Sequence, residues 1–448
     1  MKFRSILTVT ALILIMFMAA IETSIISLAL PTIKINLHAG NLVSLVFTVY
    51  FIALVIANPI VGELLSRFKI LYIAVAGVSL FAIGSLMSGL SETFTFLIIS
   101  RMIQGFGAGV MMSLSQIVPK LAFEIPLRYK IMGIVGSVWG ISSIIGPILG
   151  GAILEFATWH WLFFINIPIA IIAIVLVLMT FHFPEKEHGN QTHFDVKGLS
   201  IFYIFIALLM FGLLNQQHLY LNIIAIILAL LVLVGLFKIE QKQNNPFLQT
   251  NEFNRSIMLA FITDLFIAIS LIGYNLYIPV YLQEQLGLSP LQSGFVILPL
   301  SVAWIILNFN LAKIEANFTR KALYISAFTV LLICSVIILF GMKVPLLIAF
   351  SVIFAGLSFG YVYTKNSVIV QEESSPRNMK KMMSFYALTK NLGSSVGSTI
   401  MGYMYALKSG LFGTHLHNVL GLIAVISICL SMMWILFYKS NKTSNFNN

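Results

Sequence analysis

From residue 6 onward the chain alternates long apolar runs with short polar breaks. Runs close to the roughly 20 residues that a helix needs to cross a bilayer fall at about 6–29, 43–65, 70–90, 93–116, 130–155, 161–181, 198–214, 219–237, 257–282, 291–312, 322–341, 344–365, 382–406 and 418–438. In hydrocarbon every backbone polar group has to be satisfied within the segment, so runs of this length read as helices. The pattern predicts an all-α integral membrane protein with fourteen transmembrane helices. None of the breaks is long enough for a folded soluble domain. The most polar ones, Pro184 to Lys197 and Lys238 to Arg255, bracket the seventh and eighth helices. They divide the chain into six, two and six helices, with boundaries at 1–183, 184–256 and 257–448. The first run follows Lys2 and Arg4, as a signal peptide would, but it is too long for one and contains Glu22, so a retained helix is expected.

Composition supports the same class. Of 448 residues 59% are hydrophobic and 9% charged, against roughly 25% charged in a soluble domain. The formal charge of +11 would suit nucleic acid, but its distribution gives another reason. With fourteen spans and a cytoplasmic N-terminus, twenty-one Lys and Arg fall on the inside and only Lys34, Lys343 and Lys408 outside, with Arg101 and Lys390 left within helices. This is the positive-inside bias; it puts both termini in the cytoplasm and accounts for the basic excess without a nucleic-acid partner. Cys334 and Cys429 lie in spans and the eight histidines lie mostly in loops without metal spacing, so no disulfide, metal or cofactor is expected. No G-x-x-x-x-G-K-S/T phosphate cradle occurs, which argues against an ATP-driven pump.

The two groups of six helices are faintly alike. Gly62 to Lys69 after the second helix matches Lys313 to Lys321 in the second group, and both fifth helices are glycine-rich. Repeated halves are the construction of many secondary transporters, with the substrate site between them. Several stretches also resemble the fourteen-helix branch of the drug:proton antiporters of the major facilitator superfamily. Glu22 to Pro31 resembles the first-helix signature of that branch, Arg101-Met102-Ile103-Gln104-Gly105 its R-x-x-Q-G element, and Gly146-Pro147-Ile148-Leu149-Gly150-Gly151 its antiporter motif G-P-x-x-G-G. The likeness continues through Trp159 to Pro168, Phe194 to Gly198 and Pro279 to Gly294. The resemblance implies a major facilitator fold, with helices one, four, nine and twelve lining the cavity and the antiporter motif acting as a gate. A tight static helix contact is the other physical reading of those glycines and the proline.

The likeness fails at one loop. The family pattern G-x-L-x-D-R-x-G-R-R has Gly62 and Arg67 here, but Ser66 stands at the Asp position and Lys69 at the second Gly. The usual charged latch on the cytoplasmic side is therefore in doubt, and Glu63 reads as a solvated helix-end charge or a substitute acid.

Charges inside a membrane cost about 2.5–3.5 kcal/mol at the helix centre on insertion scales unless paired or wet. Four residues qualify: Glu22, Arg101, Asp264 and Lys390. At about 1.5 Å of rise per residue, Glu22 and Arg101 come to nearly the same depth, and an ion pair is expected in the outer half of the first bundle. Asp264 and Lys390 both lie roughly 10–12 Å from the inner face, where they too could meet, unless Lys390 snorkels to the interface. A carboxylate removed from water holds a proton more readily than one in solution, as a proton-coupling site requires. Glu22 and Asp264 are the candidate proton carriers and cation anchors, with Arg101 and Lys390 as their charge partners.

Aromatic faces hold lipophilic cations. Tyr50, Trp139, Tyr274, Tyr277, Trp304, Tyr361, Tyr363 and Phe385 could reach a central cavity, and Gln104 could add a polar contact, although most such side chains in a membrane protein simply pack. The reading is a proton-coupled antiporter, monomeric, exporting lipophilic and often cationic drugs by alternating access, with H+ as coupling ion. A narrow-spectrum exporter, of a tetracycline or an endogenous metabolite and coupled to protons, sodium or potassium, is the alternative. A membrane-embedded transferase would want a clustered His or acidic motif at one face, which is absent, and repeated halves with intramembrane carboxylates argue against a channel.

Overall fold

The computed structural model describes residues 3–124, 127–183, 195–214, 219–243, 248–375, 378–407, 409–410, 412–413 and 415–438. Among these residues the regular structure is all helical apart from a single bridge between Gly410 and Gly413. The long helices are α1 (Phe3–Asn36), α2 (Leu45–Arg67), α3 (Ile70–Gly89), α4 (Phe94–Ala122), α5 (Leu127–Phe156), α6 (Trp161–Thr180), α7 (Val196–Leu214), α8 (Leu219–Glu240), α9 (Arg255–Glu284), α10 (Pro290–Asn317), α11 (Arg320–Gly341), α12 (Pro345–Glu373), α13 (Met379–Ala406) and α14 (Leu416–Phe437). Several outrun the apolar stretch that announces them: α12 continues to Glu373, and α1 to Asn36. Helical hydrogen bonding does not stop where the hydrocarbon does.

Thirteen helices among the described residues are long and apolar enough to cross a membrane. The exception is α13, long enough at 28 residues but carrying Lys380, Lys381, Lys390 and a run of hydroxyl residues from Ser394 to Thr399. Large apolar side chains on the outer faces, such as Ile227, Phe340 and Leu346, are exposed, as lipid-facing residues are. The linker pair α7 and α8 packs together, and Tyr203 of α7 donates to the Ile56 carbonyl of α2 at 2.9 Å.

Packing repeats along the chain. The pairings α1–α5, α2–α4, α3–α4, α1–α6, α3–α6 and α1–α4 recur as α9–α13, α10–α12, α11–α12, α9–α14, α11–α14 and α9–α12. The two groups meet along α5–α10 and α2–α13, contacts that exchange with each other under the same correspondence. At the end of the molecule away from the chain termini, the second seam is stitched by hydroxyls. Thr48 bonds Ser398 at 2.7 Å and Thr399 at 3.0 Å, and Tyr277 donates to the Ser398 carbonyl at 3.3 Å. Lys34 also pairs with Glu284 across the two groups at that end, at 2.7 Å.

Helix α9 contains a π-helical turn, Gly273–Tyr277, just before Pro279. A proline has no N–H to give and its ring crowds the carbonyl one turn earlier, so the wider turn absorbs the misfit. The turn carries Tyr274 and Tyr277.

Candidate functional site

The first group of helices encloses a hydrogen-bonded ring. Arg101 of α4 donates through Nη1 to Glu22 Oε1 of α1, and also to Gln104 Oε1 at 2.6 Å. Gln104 Nε2 donates to Ser85 Oγ of α3 at 3.2 Å, and Asn166 Nδ2 of α6 donates to both Ser85 Oγ at 2.9 Å and Glu22 Oε2 at 3.0 Å. The ring thus closes on Glu22 through four helices. Arg101 Nε further donates to the Val46 carbonyl of α2 at 3.2 Å, and its guanidinium lies 4.3 Å from the centroid of the Tyr50 ring. All five ring members and Tyr50 have no accessible surface. Glu22 and Arg101, expected at nearly the same depth, form an ion pair. Ser85 and Asn166 are not among the residues that the sequence singles out. Asn166 carries a usable signal, an amide inside an apolar run; Ser85 carries none, because serines are common in membrane helices.

In the second group Asp264 of α9 is also fully buried. Tyr386 of α13 donates its hydroxyl to Asp264 Oδ1 at 2.6 Å, and the Asn366 amide of α12 stands beside the same carboxylate. Lys390 stands within electrostatic reach of Asp264 but makes no ion pair with it. The two charges, which could meet by depth, thus interact through space without touching. Tyr386 lies four residues before Lys390 on the same face of α13, and its hydroxyl takes the position beside the carboxylate. The Lys390 ammonium turns instead to rings, 4.3 Å from the centroid of Tyr363 and 5.4 Å from that of Trp139. Trp304 stacks on Tyr363 with centroids 5.2 Å apart and planes at 8°. Trp139 belongs to α5 and the others to α10, α12 and α13, so this cluster joins the two groups of helices.

The remaining aromatic candidates lie elsewhere. Tyr274 is buried against Ser335 and Phe359, its hydroxyl 2.9 Å from Ser335 Oγ. Tyr361 packs edge-on to Tyr324, Tyr277 closes the hydroxyl seam, and Phe385 stacks on Phe261 with centroids 5.2 Å apart. Helix rotation, which sequence depth does not give, turns Tyr274 and Tyr361 into their own group of helices.

Each glycine of the Gly146 to Gly151 motif removes a side chain from a particular approach. A Cβ on Gly146 would come 2.4 Å from Ser24 Cβ, and one on Gly150 3.1 Å from Ile25 Cα, both on α1. One on Gly151 would come 2.5 Å from Leu291 Cα of α10, and Gly294 of α10 in turn faces the Pro147 carbonyl. The motif thus lets α5 pack closely both within its own group and across the seam. The side chains of Glu63, Ser66 and Arg67, like the position of Gly62, lie outside what the structure describes in detail, so the latch loop adds nothing here.

Paired groups of helices with apolar outer side chains and charges buried between them have the architecture of a membrane transporter. The chain belongs to the Major Facilitator Superfamily, whose family model matches residues 12–398. It is 71% identical over 445 residues, 99% of this chain and 100% of the relative, to the multidrug efflux pump SdrM of Staphylococcus aureus. It is 26% identical to the multidrug transporter protein MdtP of Bacillus subtilis, over 90% of this chain and 76% of that one. Its fold matches a solved peptide transporter in complex with alafosfalin with a TM-score of 0.70, at 13% identity, covering 95% of this chain and 94% of that one. The protein is accordingly a multi-pass protein of the bacterial cytoplasmic membrane.

Proposed function

We propose that this protein is a multidrug exporter that couples outward movement of lipophilic, often cationic drugs to inward movement of protons by alternating access. Its near-full-length likeness to a multidrug efflux pump supports the substrate class. The observation that carries the coupling is the pair of fully buried carboxylates, one in each group of helices: Glu22 closed into a ring, Asp264 bonded by the Tyr386 hydroxyl. Glu22 accepts hydrogen bonds on both oxygens, which suits a carboxylate that Arg101 holds ionised, that takes up a proton when Arg101 lets go and that releases it when the ion pair re-forms. Asp264 is the better cation anchor, because it stands beside the cluster of rings that joins the two groups.

In this reading α13 is the fourteenth span, both termini are cytoplasmic, and the end bearing Lys34 and Glu284 faces the exterior. Residues 1–183 and 257–448 are the two moving bundles, 184–256 is the linker, and the monomer is the working unit. The exterior seam is closed here, so drug and proton exchange with the cytoplasm first. Opening of the exterior seam would then let protons reach the carboxylates while drug leaves.

The test is efflux of a fluorescent lipophilic cation from proteoliposomes under an imposed pH gradient, with voltage clamped separately. Drug-driven proton movement is expected in the wild type, and its loss in Glu22→Gln and in Asp264→Asn. Undiminished coupling in both variants would remove the proposal.

A further inference from the structure

The Lys390 side chain is long enough to snorkel toward an interface, yet its ammonium lies over the rings of both Tyr363 and Trp139, within the roughly 6 Å at which a cation is attracted by a ring face. Among the described residues it makes no hydrogen bond or ion pair, although an ammonium has three donors to offer. Asp264, its nearest opposite charge, is engaged by Tyr386 instead. The ammonium is thus held by ring faces and by the general field of the carboxylate. Ring faces with a nearby anion are also what receives a cation without N–H groups, such as a quaternary ammonium or a phosphonium. The box is assembled from both groups of helices, Trp139 from one and Tyr363 with its stacked Trp304 from the other, as a substrate site in an alternating-access transporter has to be.

We propose that the Lys390 ammonium is a tethered stand-in for the substrate's charge: it fills the aromatic box between the bundles, and a lipophilic cation binds by displacing it. The inference rests on the cation-export reading above and adds a residue that sets specificity. A tethered ligand competes at a high effective concentration, so every cationic substrate is bound more weakly than the box alone would allow. The box is also never left with bare ring faces and an uncompensated carboxylate while no drug is bound.

The experiment measures equilibrium binding of tetraphenylphosphonium to the full-length protein in nanodiscs, comparing wild type, Lys390→Met, Asp264→Asn and the double variant. Lys390→Met is expected to tighten binding about tenfold, and the same tightening is expected when Lys390→Met is added to Asp264→Asn. The second comparison matters because removing a lysine also unmasks the Asp264 charge, and that effect cannot operate once Asp264 is an amide. Lys390→Gln serves as a second removal of the charge if the Met variant fails to fold. Binding in wild type that neither removal tightens, or tightening that disappears in the Asp264→Asn background, overturns the proposal alone. Binding absent from the wild type and from every variant overturns both the proposal and the cation-export reading beneath it.

Discussion

Arg101 has no accessible surface, and its guanidinium is met by a carboxylate, an amide oxygen, a backbone carbonyl and a ring face. A buried charge pair of this kind is weak evidence for net stabilisation, because desolvation offsets the attraction, but removing one partner strands the other. Arg101→Met should therefore cost about 3–5 kcal/mol of stability, seen as a lowered thermal unfolding temperature in detergent. Adding Glu22→Gln to it should recover most of that loss while leaving proton coupling abolished. A double variant as unstable as the single one would mean that the charges are not what couples α1 to α4.

At the scale of elements, the seams between the two groups depend on missing side chains. A Cβ on Gly151 or Gly294 would collide with backbone atoms of Leu291 or Pro147, and one on Gly402 would come 2.7 Å from both Ser44 Oγ and Tyr277 Oη. Backbone cannot step aside as a flexible side chain can, so valine at Gly294 should push α5 and α10 apart. Spin labels at Leu42 and Tyr403, both exposed near that end, should then report a longer distance than in the otherwise unsubstituted protein; an unchanged distance would count against these contacts as the closure. Another element contact depends on charge. Glu252, between α8 and α9, accepts from the Ser375 amide at 2.8 Å, the Ser375 hydroxyl at 2.6 Å and Asn378 Nδ2 at 2.7 Å. These Ser375 bonds, with that from Asn378, hold its carboxyl below the ordinary value of 4.5. A depressed value means that the contact is complete above that ordinary value and is lost as pH falls through the lowered one. Slow hydrogen exchange at the Ser375 amide is expected at neutral pH, with protection falling on strong acidification and absent at all pH values in Glu252→Ala, which has no side-chain acceptor.

At the scale of the whole molecule, the two groups of helices repeat one packing plan, and the two seams exchange under it. Substitution at Gly402, on the α2–α13 seam, should consequently open the same end as substitution at Gly294 on the α5–α10 seam, and the same pair of spin labels reads both. An effect confined to one seam would show that the groups do not move as rigid bodies about a shared axis. The linker pair stands beside the α2–α13 seam, where Tyr203 reaches α2 and Ser395 of α13 contacts Met210 of α7 at 3.7 Å.

Helix number to within one, the all-helical membrane class, the repeated halves and the Glu22–Arg101 pair were legible in the sequence, because apolar run length and a constant rise per residue fix where along the membrane normal a side chain lies. Rotation about each helix axis is set by packing against neighbours, and linear depth contains nothing of it. For that reason Tyr386 and not Lys390 meets Asp264, Tyr274 and Tyr361 turn inward, and Ser85, which no local pattern announces, joins Asn166 in completing the ring. The glycines of the Gly146 to Gly151 motif were visible as a motif, but only the tertiary structure assigns two of them to α1 and one to α10. Which backbone a missing Cβ admits is a property of the neighbour.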